Sequence, residues 1–250
     1  MNLGYLASAI PGPGGTADRA SYARAVGFSE VLTELPHAPR GPALSGAMAV
    51  HRLDTLPGRE ARPALQLVGE APAPCPRIVA AGADPAAVRA LSRAGYQPLS
   101  DCLLDPEAVA AHWPAHVTGC THGSIRACPR QWRVARILLV ATNPARAETA
   151  VRDPGDACRA YLGQRLGRDP GSEEVAELAD RVVLRGTPET VAGGLIDFRT
   201  ACGPFGALVL VDLGWHDRTL ARDSLLLLSQ VVAPLVDAET RSADRWLELA

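Results

Sequence analysis

Residues 78–88, IVAAGADPAAV, decide how the rest of the chain is read. An apolar run over 77–81 reads as a buried strand, Gly82-Ala83 as a two-residue turn, and 85–94 as a helix. A strand feeding a helix through so short a turn is one unit of an α/β fold. Turns of this kind hold phosphates, because the first N–H groups of the helix point outward and carry partial positive charge. Here the residue at the cap is Asp84, where an anion-binding turn would carry Ser, Thr or Gly. One reading makes Asp84 an N-cap whose carboxylate satisfies the helix donors itself. The other makes the loop accommodate an anion despite the charge. A carboxylate ~5 Å from a dianionic phosphate costs on the order of 1–3 kcal/mol per charge pair at an effective dielectric of about 20 to 40.

The same alternation extends to both sides. Strands are expected at 3–7, 30–33, 96–100, 132–141 and 207–213, with a further short one at 64–68. Helices are expected at 16–26, 43–53, 106–112, 173–179 and 187–201, with helical material over 145–166 broken at Pro154-Gly155. A last helix over 219–236 should bend near Pro234. The segment 114–129 reads as an irregular loop. Strand alternating with helix throughout implies a parallel sheet or barrel, with six or seven strands against the eight of a closed (β/α)₈ barrel. No linker splits the chain, so 1–250 reads as one domain.

Composition narrows the function classes. The chain is 47% apolar, 21% charged and 4% aromatic, with a formal charge of −2. That balance gives no electrostatic reason to expect nucleic acid or an anionic membrane as partner. No apolar run approaches ~20 residues, so no membrane span is expected. The start, MNLGYLASAI, lacks the basic opening of a signal peptide. Six scattered cysteines then read as reduced thiols in the cytoplasm. Every basic side chain is Arg, which removes lysine Schiff-base and lysine general-base chemistry. Cys120, His122 and Cys128 lie close together in GCTHGSIRAC, but form no CxxC pair and lack a fourth ligand at zinc spacing, so no metal site is expected. No nucleophile elbow is present, and the glycines of PGPGGT fit neither a P-loop nor a dinucleotide fingerprint.

The final third carries a more specific signal. RGTPETVAGGLIDFRTACGPFGALVLVDLGWHDRTLARDSLLLLSQVVAPL resembles the C-terminal signature of the bacterial luciferase-like, flavin-dependent monooxygenases. The matching features are Gly186 to Glu189, Gly203-Pro204-Phe205, the apolar strand from Ala207, Ser224-Leu225 and the closing Val232 to Pro234. LGYL, AVGFSEVLTELPH, LDTLPGR, PCPRIVAAGADPAAVRALSRAGYQPLSD and WRVARILLVATNPARAETAV resemble earlier parts of that family in the correct order. Segments between His37 and Gly41 and between Arg59 and Ala64 are shorter than in the family. The resemblance therefore implies a reduced or incomplete TIM-like barrel of the luciferase type, with six to seven parallel strands.

It also implies FMN, or in some members a deazaflavin, at the C-terminal ends of the strands, with the protein supplying orientation and a dry pocket. The phosphate contact maps to Gly82, Ala83 and Asp84. The family's phosphate-binding arginines map to the shortened region, where Arg59 and Arg40 are local replacements or simply surface residues. His37, the one His kept in ELPH, is a candidate acid or base or a solvated loop residue. Pro13 and Gly14 in the first loop, and Trp215-His216 after the last strand, are candidates for lining a substrate pocket. The expected function is a monooxygenase or related oxidoreductase using reduced flavin on a small organic substrate of secondary metabolism. The alternatives are a non-catalytic ligand-binding or partner subunit of a complete homologue, and a cofactor-independent enzyme using the same pocket. Family members pair through helices flanking the early strands, so a homodimer or a heterodimer with a luciferase-like homologue is expected.

Overall fold

The computed structural model describes residues 1–7, 16–35, 48–52, 77–203 and 205–244. Pro13, Gly14, His37, Arg40, Arg59 and the short strand expected at 64–68 lie outside these residues. Eight parallel strands are described: β1 (Asn2–Ala7), β2 (Glu30–Leu35), β3 (Met48–Arg52), β4 (Ile78–Ala81), β5 (Gln97–Ser100), β6 (Arg133–Val140), β7 (Val183–Gly186) and β8 (Ala207–Val211). Hydrogen-bonded neighbours run β1 to β5 in sequence order, then β5 to β6, β6 to β8 and β8 back to β1. The ring thus closes on seven strands. β7 pairs with the second half of β6, Ile137 to Val140, whereas the first half of β6 pairs with β5 and β8. This is the reduced TIM-like barrel that the family resemblance implied.

Side-chain parity builds two cores. Leu3, Tyr5, Val31, Val134, Leu138, Val140, Leu208 and Leu210 form one layer with Ala20 and Ala23 of α1 (Thr16–Ala25), Val191 and Leu195 of α8 (Pro188–Cys202), and Leu225, Leu228, Val232 and Val236 of the C-terminal helix. The opposite parity gathers Leu6, Leu32, Ile78, Ala80, Leu99, Ala135, Ile137, Leu139, Val209 and Val211 inside the ring. Strands buried on both faces read as continuous apolar runs, which is why RILLV and ALVLV stood out. Packing between neighbouring strands is tight: a Cβ on Gly4 would lie 3.1 Å from Val209 of β8 and 3.4 Å from Leu32 of β2. Across the floor, Arg133 donates to both Glu30 oxygens at 2.7 and 3.0 Å and to Gln97 at 2.8 Å. The N-terminal end is thereby bridged by charged and polar side chains.

Three expectations need correction. Residues 48–52 are strand β3, not the end of a helix; pairing on both edges, to β2 and to β4, outweighs the helical preference of Met48, Ala49 and Arg52. Strand β7 follows α7 (Ser172–Val182) without any turn residue, so no punctuation marked it. The supposed loop at 114–129 contains α4 (His112–His122), with Pro114 tolerated in its first turn. α4 packs on α2 (Pro85–Arg93) through glycines: a Cβ at Gly119 would lie 2.3 Å from the Arg89 carbonyl oxygen, and one at Gly123 2.5 Å from that of Arg93. α3 (Pro106–Ala110) directly precedes α4, and α5 (Pro144–Arg152) and α6 (Gly155–Leu166) lie between β6 and α7.

The C-terminal helix runs as α9 (Arg218–Leu227), a wide π turn (Leu228–Val232) and α10 (Ala233–Asp244). Ala233 N–H reaches back to the Leu228 carbonyl, a five-residue step placed directly before Pro234, which has no N–H to continue the ordinary ladder. By length and composition Arg218–Thr240 is apolar enough to cross a membrane. Its Leu220, Ser224, Leu225, Leu228, Val232 and Val236 are buried in this fold.

Candidate functional site at the strand ends

The turn after β4 is built around two filled roles. Asp84 accepts the Ala86 N–H at 2.9 Å, and Pro85 at the first helical position has no N–H to offer. The Gly82 carbonyl accepts from His112 Nε2 at 2.9 Å. Because a carbonyl only accepts, Nε2 carries the proton and Nδ1 takes the Ser100 hydroxyl at 2.8 Å, which in turn accepts from Trp132 Nε1 at 2.9 Å. Burial pushes the His112 pKa down, which keeps this relay neutral. A phosphate at this turn would find one helix donor missing, the next occupied, and a carboxylate beside it. The residues present do not fit the phosphate of FMN here. Gly82, Ala83 and Asp84 are all exposed.

The rim above β5 is filled by α6. Arg165 pairs with Asp101 at 2.7 Å, both largely buried, and the Tyr161 hydroxyl lies 3.3 Å from the Cys102 thiol. On this side the strand ends are covered.

The rim at β1 and β8 is different. The Tyr5 hydroxyl donates to Asp212, which follows β8; Asp212 also accepts the Gly214 N–H at 2.8 Å and pairs with Arg19 of α1 at 3.0 Å. Burial, reinforced by the Asp212 carboxylate, raises the Tyr5 pKa, so the phenol stays protonated. Arg19, Asp212 and Gly214 of this cluster, with the fully buried Tyr5 behind them, form one wall of a cavity of about 460 Å³ between α1, β8 and α9, lined also by Tyr22, Leu138, Leu210, Trp215, Arg218 and Arg222. Arg222 lies over the Tyr22 ring at 4.4 Å. Trp215 thus lines the larger cavity. His216 borders a second, shallower one of about 390 Å³ with Arg146 and Asp217. Asp217 caps α9 through the Leu220 N–H and pairs with Arg146 at 2.6 Å. Sequence reading missed Tyr5, Arg19, Asp212, Arg218 and Arg222. A signal existed for one of them: Asp212 is a carboxylate ending a fully buried strand, a position that demands partners.

The GCTHGSIRAC residues divide between separate environments. Cys120 is buried, with its thiol 3.6 Å from His116 Nε2, and Ser92 lies 2.7 Å from His116 Nδ1. His122 is exposed and Cys128 half-buried. Among the described residues no group of three or more His, Cys, Asp or Glu is placed to hold a metal ion. The five described cysteines are free thiols.

A ring of parallel strands with a bridged floor, and a cavity between α1 and α9 on its outer face beside the C-terminal ends of β1 and β8, defines a β/α-barrel protein. No family model and no curated protein matches the chain. Solved structures do. The coenzyme F420-dependent tetrahydromethanopterin reductase from Methanopyrus kandleri superposes with a TM-score of 0.62 at 12% identity, covering 93% of this chain and 98% of that one. Monooxygenase RslO1 from Streptomyces bottropensis gives 0.59 at 14% identity, covering 94% and 99%. The oxygenating constituent of 3,6-diketocamphane monooxygenase from Pseudomonas putida, in complex with FMN, gives 0.52 at 21% identity, covering 65% of this chain. The chain spans about half, 49%, of the length of that last protein. The luciferase-like barrel is therefore the fold of this chain.

Proposed function

We propose that the protein is an oxidoreductase of the luciferase-like monooxygenase kind, acting on a small organic substrate of secondary metabolism with electrons from a reduced flavin. The observation that carries this reading is the open cavity between α1 and α9 beside the C-terminal ends of β1 and β8, on a barrel whose fold is similar to flavin- and F420-linked oxidoreductases. Arg19 and Asp212, the latter held from behind by the Tyr5 hydroxyl, fix the polar end of the cavity, while Leu138, Leu210 and Trp215 supply its apolar side. Because the β4–α2 turn does not fit a phosphate, the flavin is taken up as a diffusing reduced cosubstrate rather than clamped there. His37, Arg59, Pro13 and Gly14, outside the described residues, remain candidates for contacts to flavin or substrate.

Asp84 and its occupied helix start favour a second reading, in which the chain is a non-catalytic partner of a complete homologue, in a homo- or heterodimer. A turnover assay separates the two. With a flavin reductase supplying reduced FMN, the first reading expects substrate-dependent oxygenated or dehydrogenated product by mass spectrometry. No product across a broad panel, with stable co-purification of a full-length homologue, would establish the second.

A further inference from the structure

We propose that the cavity at the end of β8 binds a flat aromatic anion, with its ring on the apolar wall and its charged group on Arg218 and Arg222. This names the substrate class of the same rim and rests on reading that rim as the substrate site. The volume, about 460 Å³, falls in the range of roughly 300–1,000 Å³ usual for small-molecule pockets. Leu138, Leu210, Leu225 and Trp215 supply a continuous apolar wall.

The charges decide the sign of the ligand. Asp212 is already satisfied by Tyr5, Gly214 and Arg19, so that pair presents no net charge to the cavity. What remains is Asp18 against Arg218 and Arg222. Among the described residues neither arginine has a carboxylate partner. They stand four residues apart on α9, hence on one face of the helix. A guanidinium stacked on a ring, as Arg222 is on Tyr22, keeps its N–H groups in its own plane, where a carboxylate can accept them.

The experiment is tryptophan-fluorescence titration with 2-naphthoate and its neutral counterpart 2-naphthylmethanol, in wild type, R218Q and R218Q/R222Q, without any flavin. Both arginines are exposed, so the fold should tolerate their loss. Naphthoate should bind about tenfold more tightly than the alcohol, and the double variant should remove that advantage while leaving the alcohol unchanged. Equal binding of the two probes, no binding of naphthoate, or a naphthoate affinity indifferent to the substitutions would overturn the assignment. Because no electron transfer is involved, failure of the oxidoreductase reading leaves this result interpretable. An active enzyme that ignores naphthoate would overturn the ligand class alone.

Discussion

Single residues set the polarity of this site. Asp84 completes a helix cap and so withdraws a turn from phosphate binding, while Asp212, similar in chemistry, is drawn inside by Tyr5 and Arg19 and shapes a cavity. The buried histidines show the same dependence on surroundings. Burial lowers the pKa of His112, and pushes that of His116 from 6.5 to about 4. Above the unfolded value both states are neutral and stability is complete. Below pH 6.5 the unfolded chain takes up protons that folded His116 refuses, so stability falls towards its folded value of about 4. The slope approaches about 1.4 kcal/mol per pH unit for each such histidine. Urea midpoints should therefore fall between neutral pH and about pH 5, and an H116Q variant should show a shallower fall. An identical slope in that variant would assign the loss elsewhere.

At the scale of elements, the clearest units were legible because their local chemistry agreed with their packing. Asp84-Pro85, Asp105-Pro106, Asn143-Pro144 and Thr187-Pro188 each place a capping side chain before a proline, and each starts a helix. What escaped was decided by partners distant in sequence. β3 exists because β2 and β4 need a strand between them, and α4 because Gly119 and Gly123 let it lie directly on α2. The second of these has a measurable consequence. A methyl group at Gly119 would meet the Arg89 carbonyl, which a flexible side chain cannot relieve, so Gly119→Ala should destabilise by about 2–3 kcal/mol despite the better helix propensity of alanine. Chemical denaturation would measure it, and a neutral or stabilising result would show that the two helices do not approach so closely.

For the whole molecule, the barrel class was legible from strand–helix alternation and the C-terminal block, but its closure was not. Closure depends on the first half of β6 pairing with β5 and β8 together while its second half takes β7, a matter of register that composition does not encode. The site was only partly legible for the same reason. Trp215 could be placed at the rim from chain order, whereas Tyr5, Arg19 and Asp212 meet only once the ring brings β1 beside β8. The resulting barrel keeps a cavity at its rim and lacks a phosphate clamp at the β4–α2 turn. Anaerobic calorimetry comparing reduced FMN with reduced riboflavin tests that combination directly. Both flavins should bind, with affinities within about threefold of each other, since a phosphate with no seat adds little. Binding of neither, or binding of FMN alone, would contradict it.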